Sequence, residues 1–382
     1  MLEPLAATHL PEGVRARFLP HVNGLNMHLL EAGEAGRPLL LLLHGFPELA
    51  YSWRNIMLPL AGVGYHVVAP DQRGYGRTTG LAVEYDQDLT PYRPLGYVRD
   101  ALALVAALGH SEVACVVGHD FGAPVAGNAA LSRPDVFRSV VMMSAPYGGP
   151  RAWPRGAQSA AEPLGGLASP ELHAALGRLD PPRQHYQWFY SKPEADADMH
   201  HAPQGLQAFL RAYYHHKSAD WAGNKPHKLA GWTAADLAVM PTYYLMPAGL
   251  GMAATVAAEM PDAAIIAANT WLPDAALAVY AQEYGRTGFQ GGLQSYRCTT
   301  SGQAAADMRL FAGRGIEVPA CFIAGAADWG IYQKPGEFEL MQGVGCRDMR
   351  GCHLVPAAGH WVQQEQAGQV AGLIQEFLRE LR

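Results

Sequence analysis

The run Val116-Val117-Gly118-His119-Asp120-Phe121-Gly122 decides the reading of the fold. An apolar stretch from Glu112 to Val117 reads as a strand, and the Ala- and Val-rich residues after Gly122 read as a helix. Between them lies a small-x-nucleophile-x-small turn, in which a sharp strand-to-helix reversal lifts one side chain above a sheet. Glycine flanks the tip because such a turn leaves no room for side chains. The usual tip residue is a serine that attacks acyl carbon; here it is the carboxylate of Asp120. A carboxylate serves esters poorly, since attack would give an anhydride that falls back to reactants. It suits displacement at a saturated carbon bearing a strained or good leaving group, and it leaves an ester that water can cleave. That chemistry is the opening of an epoxide or the breaking of a carbon–halogen bond.

Outward from this turn, residues 1–147 alternate strand-like and helix-like segments. Val14 to Leu19 and Leu25 to Glu31 read as an opening pair of strands. Pro38 to Leu43 and Tyr65 to Ala69 are continuous apolar runs, as expected for strands buried on both faces. Gly96 to Leu108 has helical periodicity and ends at Gly109, and Ser139 to Ser144 is a further strand. The rhythm breaks from about Pro146 to Gly313, a stretch rich in Pro, Gly, Trp, Tyr, Met and His that reads as helices joined by irregular loops. It resumes at Val318 to Gly325 and Cys352 to Val355, and closes with an amphipathic helix around Gln364 to Leu381. The expected class is α/β, a mostly parallel twisted sheet flanked by helices. The expected organisation is a core formed by residues 1–147 and 314–382, interrupted by a helical cap domain at 148–313.

Composition narrows the partners. At 382 residues the chain can bury a large core, and 49% hydrophobic with 16% charged residues describes a globular protein. A formal charge of −6 without a basic stretch argues against nucleic acid. No apolar run is long enough to span a membrane, and Met1 to Glu12 lacks the pattern of a signal peptide. Cys115, Cys298, Cys321, Cys346 and Cys352 are an odd, scattered set with no CxxC pair. Free thiols in a reducing, cytoplasmic compartment fit them better than a disulfide framework. Self-association is left open.

In an open parallel sheet, ligands bind beyond the carboxyl ends of the strands. Four such ends carry candidate chemistry here. After Pro38 to Leu43 comes His44-Gly45-Phe46-Pro47, whose tight turn could aim the Phe46 N–H at a developing oxyanion, with the Phe121 N–H as second donor. Asp328 follows the strand ending at Gly325, and His360 follows the last strand within Ala357-Ala358-Gly359-His360-Trp361. The order nucleophile, acid, base suits this architecture, with His360 drawing a proton from water and Asp328 fixing its tautomer. Each piece alone has an ordinary explanation: a plain turn, a surface Gly-His, a helix N-cap at Asp328. Their conjunction at successive strand ends argues for a site.

On these residues the chain resembles the α/β-hydrolase superfamily and, within it, the epoxide hydrolases. The family's His-Gly-x-Pro motif stands at His44 to Pro47, its Gly-x-Asp-x-Gly elbow at Gly118 to Gly122, and its Gly-His-Trp motif at Gly359 to Trp361. His185-Tyr186-Gln187-Trp188-Phe189-Tyr190 resembles the segment carrying the first ring-opening tyrosine. The stretch Thr287 to Arg297 resembles the segment carrying the second. The resemblance thereby assigns those roles to Tyr186 and Tyr296. It covers nearly the whole chain from about Arg15. It implies a hydrolase acting on an ether bond, through a covalent ester on Asp120, with a small lipophilic epoxide as partner and no metal or organic cofactor. His44, Pro47, Trp188 and Trp361 are expected to contact substrate. Ser295 stands where an aromatic residue commonly precedes the second tyrosine, and Phe121 where Trp often follows the nucleophile.

Two other readings use the same residues. A haloalkane dehalogenase shares the aspartate but needs side-chain donors for halide, and Phe46 and Phe121 offer none. A non-catalytic ligand-binding protein on this scaffold is the other, against which an intact nucleophile, acid and base weigh. The pairs His200-His201 and His215-His216, with Asp196 and Asp198 nearby, lack the spacing that would turn two side chains to one metal.

Overall fold

Leu39 to Leu43 is five consecutive leucines, and period-2 geometry sends alternate ones to opposite faces of a sheet. In the computed structural model, which describes residues 2–153 and 169–381, Leu40 and Leu42 enter one hydrophobic core while Leu39, Leu41 and Leu43 enter another. A strand buried on both faces is a central one, and the pairing bears this out. Strands β1 (Arg15–Val22), β2 (Leu25–Ala32), β3 (Leu39–Leu43), β4 (His66–Pro70), β5 (Cys115–His119) and β6 (Val140–Met143) precede the long helical segment. Within that segment lie β7 (Arg183–His185) and β8 (Leu245–Pro247); after it come β9 (Ile316–Gly325) and β10 (Cys346–Val355). The main sheet has eight strands in the order β1-β2-β4-β3-β5-β6-β9-β10. The β1–β2 and β2–β4 pairs are antiparallel, and every other pair is parallel.

Helices cover both faces. Arg54–Gly62 and Ala367–Glu380 pack into the core that holds Leu40 and Leu42, through residues such as Ile56, Leu60, Ile374 and Phe377. Pro94–Ala107 and Gly122–Ser132 seal the other face through Leu104, Val105, Val125 and Ala129. The first core continues into the intervening helices through Phe46, Tyr190 and Leu293, so that segment packs on the sheet's carboxyl edge as one body of side chains. Among its elements are the helices Tyr186–Tyr190, Leu206–Lys217, Asp274–Thr287 and Gln290–Thr300, and the antiparallel pair β7–β8. Residues 154–168, inside the stretch expected to be the helical insertion, lie outside the described residues.

The core elements fall close to their expected places. The last strand begins six residues earlier than Cys352, because charged Arg347, Asp348 and Arg350 sit on an outer strand whose side chains reach solvent. The β7–β8 pair has no counterpart among the expected elements; three-residue strands leave no periodicity to read. All five cysteines are free thiols, four of them buried. No helix among the described residues is long and apolar enough to cross a membrane.

Two glycines let β5 turn into its helix. A Cβ on Gly118 would strike the Gly122 carbonyl, and a Cβ on Gly122 would strike the carbonyl of Leu43 at the end of β3. Both obstacles are backbone, so neither can swing aside. Replacing Gly122 by Ala should therefore cost at least about 1–3 kcal/mol, read as a lower urea midpoint with an unchanged slope.

Candidate active site

The parallel strands end along one edge, and the loops leaving those ends converge there. β5 runs directly into Asp120, whose φ of 51° is left-handed, a conformation that costs a non-glycine residue about 1–3 kcal/mol. The turn is held by Asp120 N–H donating to Met143 O (3.1 Å) and by Asp120 O accepting from Ala123 N–H (3.1 Å). This backbone aims the carboxylate at the loop after β3. There the Phe46 N–H donates to Asp120 Oδ1 at 2.9 Å.

On the other carboxylate oxygen, His360 Nε2 lies 3.3 Å from Asp120 Oδ2, without the alignment of a hydrogen bond. His360 Nδ1 faces Asp328 Oδ1 at 3.1 Å. Asp328 is both the residue expected beside the base and an N-cap: its Oδ1 also accepts from Gly330 N–H at 2.6 Å, starting the short turn Trp329–Ile331. Burial pushes Asp120 up, but the adjoining His360 ring, Lys217 and His119 outweigh it and hold the carboxylate far below the ordinary range. Asp328 is likewise pushed up by burial and held low by His360, Ser144 and the Gly330 amide.

Two tyrosines from the helical segment face this edge. Tyr186 opens the helix Tyr186–Tyr190 and Tyr296 sits within Gln290–Thr300, their rings edge-on at 5.9 Å. Phe46 joins them to Asp120: its amide holds the carboxylate while its ring meets Tyr296 at 5.5 Å. Tyr186 Oη donates to Gln333 Oε1 (3.3 Å) and accepts from Gln187 Nε2 (3.0 Å). Burial, followed by nearby ionisable groups that include Asp120, raises both phenols well above their ordinary value, so both are neutral donors at physiological pH.

With this geometry in view, the comparisons are specific. The model of the alpha/beta hydrolase fold matches residues 38–365. Epoxide hydrolase A of Mycobacterium tuberculosis is 32% identical over 372 residues, covering 97% of this chain and 99% of its own length. The chain belongs to the epoxide hydrolase family. Among solved structures, an epoxide hydrolase from an endophytic Streptomyces superposes with a TM-score of 0.75 at 29% identity, covering 97% of each chain. Epoxide hydrolase A from Mycobacterium thermoresistibile gives 0.73 at 31% identity, with 96% of this chain and 98% of that one covered.

Three of the residues expected to contact substrate have partners within the protein. His44 is fully buried, with Nδ1 against Gly45 O (2.8 Å) and Nε2 accepting from Gln72 N–H (3.0 Å), so its ring braces the loop. Trp361 Nε1 donates to Tyr214 O at 2.8 Å while the ring backs His360 edge-on at 4.6 Å. Trp188 is two residues from Tyr186 on one helix, which turns it away from that face, and it stacks on His173 at 4.6 Å. Pro47 is buried under the helical layer, its carbonyl accepting from Tyr214 Oη (3.0 Å). Phe121 caps the helix after the nucleophile and packs edge-on against Tyr97 at 5.1 Å. Ser295 turns its hydroxyl back to Gly292 O at 2.8 Å, so the space an aromatic ring would fill there is not taken by its side chain.

Sequence reasoning misses several polar groups. Ser144 and Lys217 both touch the site. Lys217 Nζ is buried over the rings of Tyr213, Tyr243, Tyr244 and Trp361, at 5.2–5.7 Å from their centres. Burial draws its ammonium down, against Asp120, Asp328 and Glu48, which favour its charge. Glu48 and His119 form a buried pair at 2.6 Å, and His119 Nε2 meets His360 O at 2.7 Å. An acceptor at each ring nitrogen suits the doubly protonated ring; burial opposes its charge, and Glu48 more than offsets that, raising its pKa. Asp196, weighed beside the histidine pairs, instead caps the helix bearing Tyr296 by accepting from Gln290 N–H at 3.0 Å. Among the described residues, no group of three His, Cys, Asp or Glu side chains could hold a metal ion.

The loop carrying Phe46 is fixed from β4. Asp71 accepts from Ala50 N–H (2.9 Å), Arg77 N–H (3.0 Å) and His28 Nδ1 (2.8 Å). Burial pushes its carboxyl up, but His28, His44 and the Arg77 amide hold it down to about 2. A lowered folded pKa gives stability that is present above the unfolded value and lost as pH falls toward the folded one. Asp71→Asn should thus cost about 1–3 kcal/mol at pH 7, and the gap between variant and wild type should close as pH drops from near 4 to 2. Urea unfolding across that range reads it.

Proposed function

We propose that this chain hydrolyses lipophilic epoxides to vicinal diols, the residues 148–313 serving as a cap domain over a core made of 1–147 and 314–382. The observation that carries the reading is the two-sided grip on Asp120: a backbone N–H on Oδ1 and the His360 ring at Oδ2, with two neutral phenols on the opposing layer. Oδ1 is occupied by Phe46, so Oδ2 is the oxygen free to attack an oxirane carbon. As the C–O bond breaks, Tyr186 and Tyr296 donate to the leaving oxygen, and one of them protonates it. A phenol suits this step, being protonated at rest and acidic enough to give its proton to an alkoxide. The product is a hydroxyalkyl ester on Asp120.

Hydrolysis uses the same geometry. His360 takes a proton from water through Nε2, with its Nδ1–H held by Asp328. The hydroxide attacks the ester's carboxyl carbon, and charge collects on Oδ1, already beside the Phe46 N–H; Phe121 N–H is the second donor. Collapse expels the alkoxide on Oδ2, which takes the proton held by His360 and leaves as the diol. The carboxylic acid left on Asp120 gives up its proton, which returns to the tyrosinate, so water supplies both the oxygen and the protons of the net reaction. The buried aromatic surroundings of Phe46, Tyr190 and Phe289 favour an apolar substrate, and the free thiols favour a reducing, cytoplasmic setting.

Intact mass of His360→Gln after exposure to epoxides and haloalkanes tests the reading. A gain equal to one whole epoxide is expected. A gain of an alkyl group without halogen would make the enzyme a dehalogenase, and no adduct on a folded protein would favour a binding role. Tyr186→Phe and Tyr296→Phe should each lower kcat/KM for styrene oxide about 10²-fold, with the double variant losing more; an unchanged single variant would remove that tyrosine from the mechanism.

A further inference from the structure

Ser144 stands where β6 ends, between the ends of β5 and β9, and is completely buried. Its φ is 69°, a left-handed conformation that serine adopts only when its surroundings compel it. They do: its N–H donates to Ile323 O (3.1 Å) and the next amide turns back to Met143 O (2.8 Å). The consequence of that strained backbone is where the hydroxyl lands. Ser144 Oγ donates to Asp328 Oδ2 at 2.6 Å and lies 2.8 Å from His360 Nδ1.

We propose that Ser144 is a positioning residue that sets the tautomer of His360 for the ester-hydrolysis half-reaction; the inference rests on the epoxide-hydrolase mechanism above. A hydroxyl has one proton. With that proton given to Asp328, the oxygen can only accept from His360, so Nδ1 carries a hydrogen shared between Ser144 Oγ and Asp328 Oδ1. The neutral ring's lone pair is then confined to Nε2, the atom facing Asp120. Asp328 gives Nδ1 one contact at 3.1 Å; the shorter Ser144 contact adds a second at 2.8 Å and narrows the tilt left to a ring already packed between His119 and Trp361. When Nε2 takes a proton from water, the positive charge formed faces a carboxylate and a hydroxyl oxygen whose dipole is already aligned. The alkylation step uses no proton on His360 and is expected to be insensitive to Ser144.

Two variants separate hydroxyl from strain. Ser144→Ala removes the hydroxyl and keeps a side chain at positive φ, whereas Ser144→Gly removes the hydroxyl and is at ease there. Rapid-quench mass spectrometry with styrene oxide would follow formation and decay of the ester in wild type and both variants, beside thermal melts that report folding. In both variants the ester should persist about tenfold longer, while its rate of formation changes less than about twofold. An ester lifetime in Ser144→Gly equal to wild type, or equal slowing of both half-reactions, would overturn the inference and leave Ser144 a packing residue. Absence of any ester in wild type would overturn the underlying mechanism, and the inference with it.

Discussion

The carboxylate of Asp120 is held in a backbone conformation that resists any residue with a Cβ, and the rest of the site is built around that imposition. The turn closes only because Gly118, Gly122 and Gly45 surround it; a Cβ at Gly45 would run into the Asp120 side chain itself. Gly45 thus packs directly against the carboxylate, whose two oxygens have different partners. One oxygen meets the Phe46 amide and the other faces His360. The strain is thus converted into orientation, which is what the proposed role of Asp120 as a directional nucleophile requires. The same device recurs at Ser144, a second non-glycine residue forced to positive φ at a neighbouring strand end.

Charge is the second constraint. Asp120, Asp328 and Glu48 bring three buried carboxylates to the same edge of the sheet, an arrangement that would raise their pKa values if nothing opposed it. Two buried basic groups oppose it: His119, clamped between Glu48 and a carbonyl, and Lys217, caged by aromatic rings. Gln363 and Gln364 complete the satisfaction of Glu48 with amide donors at 2.8 and 3.0 Å. The resulting field favours the ionised form of Asp120 despite its burial.

Legibility in the chain tracks the physics of each element. Buried parallel strands need unbroken apolar runs, so β3 to β6 are visible, and with the last strands they give the ends bearing Phe46, Asp120, Asp328 and His360. The family motifs then single out Tyr186 and Tyr296, which local periodicity does not distinguish from Tyr190. Ser144 reads only as the last residue of a strand; its hydroxyl gains meaning from β9 and β10, which lie far along the chain. Lys217 ends a polar His-His-Lys run that reads as a solvated helix terminus, and only tertiary packing buries it. The packing of Trp188 on His173 is not legible either, because aromatic content says nothing of helical phase.

The helix Leu206–Lys217 ends where the two layers join through their backbones: His360 N–H donates to Lys217 O at 2.9 Å, and Gly359 packs so closely on Ser218 that no Cβ would fit. Glu365 ties the same junction by accepting amides from Ala219, Gly359 and Trp361. Modular engineering treats a lid as an exchangeable part, to be transplanted between relatives to change which substrates enter. In this chain the joint carries the proposed general base, so a chimera cut at 148 and 313 would transplant half of the base's support with the proposed cap. Recombination that keeps residues 217–219 with their native partner loop, and exchanges only the helices lining the substrate, respects the seam the molecule itself has drawn.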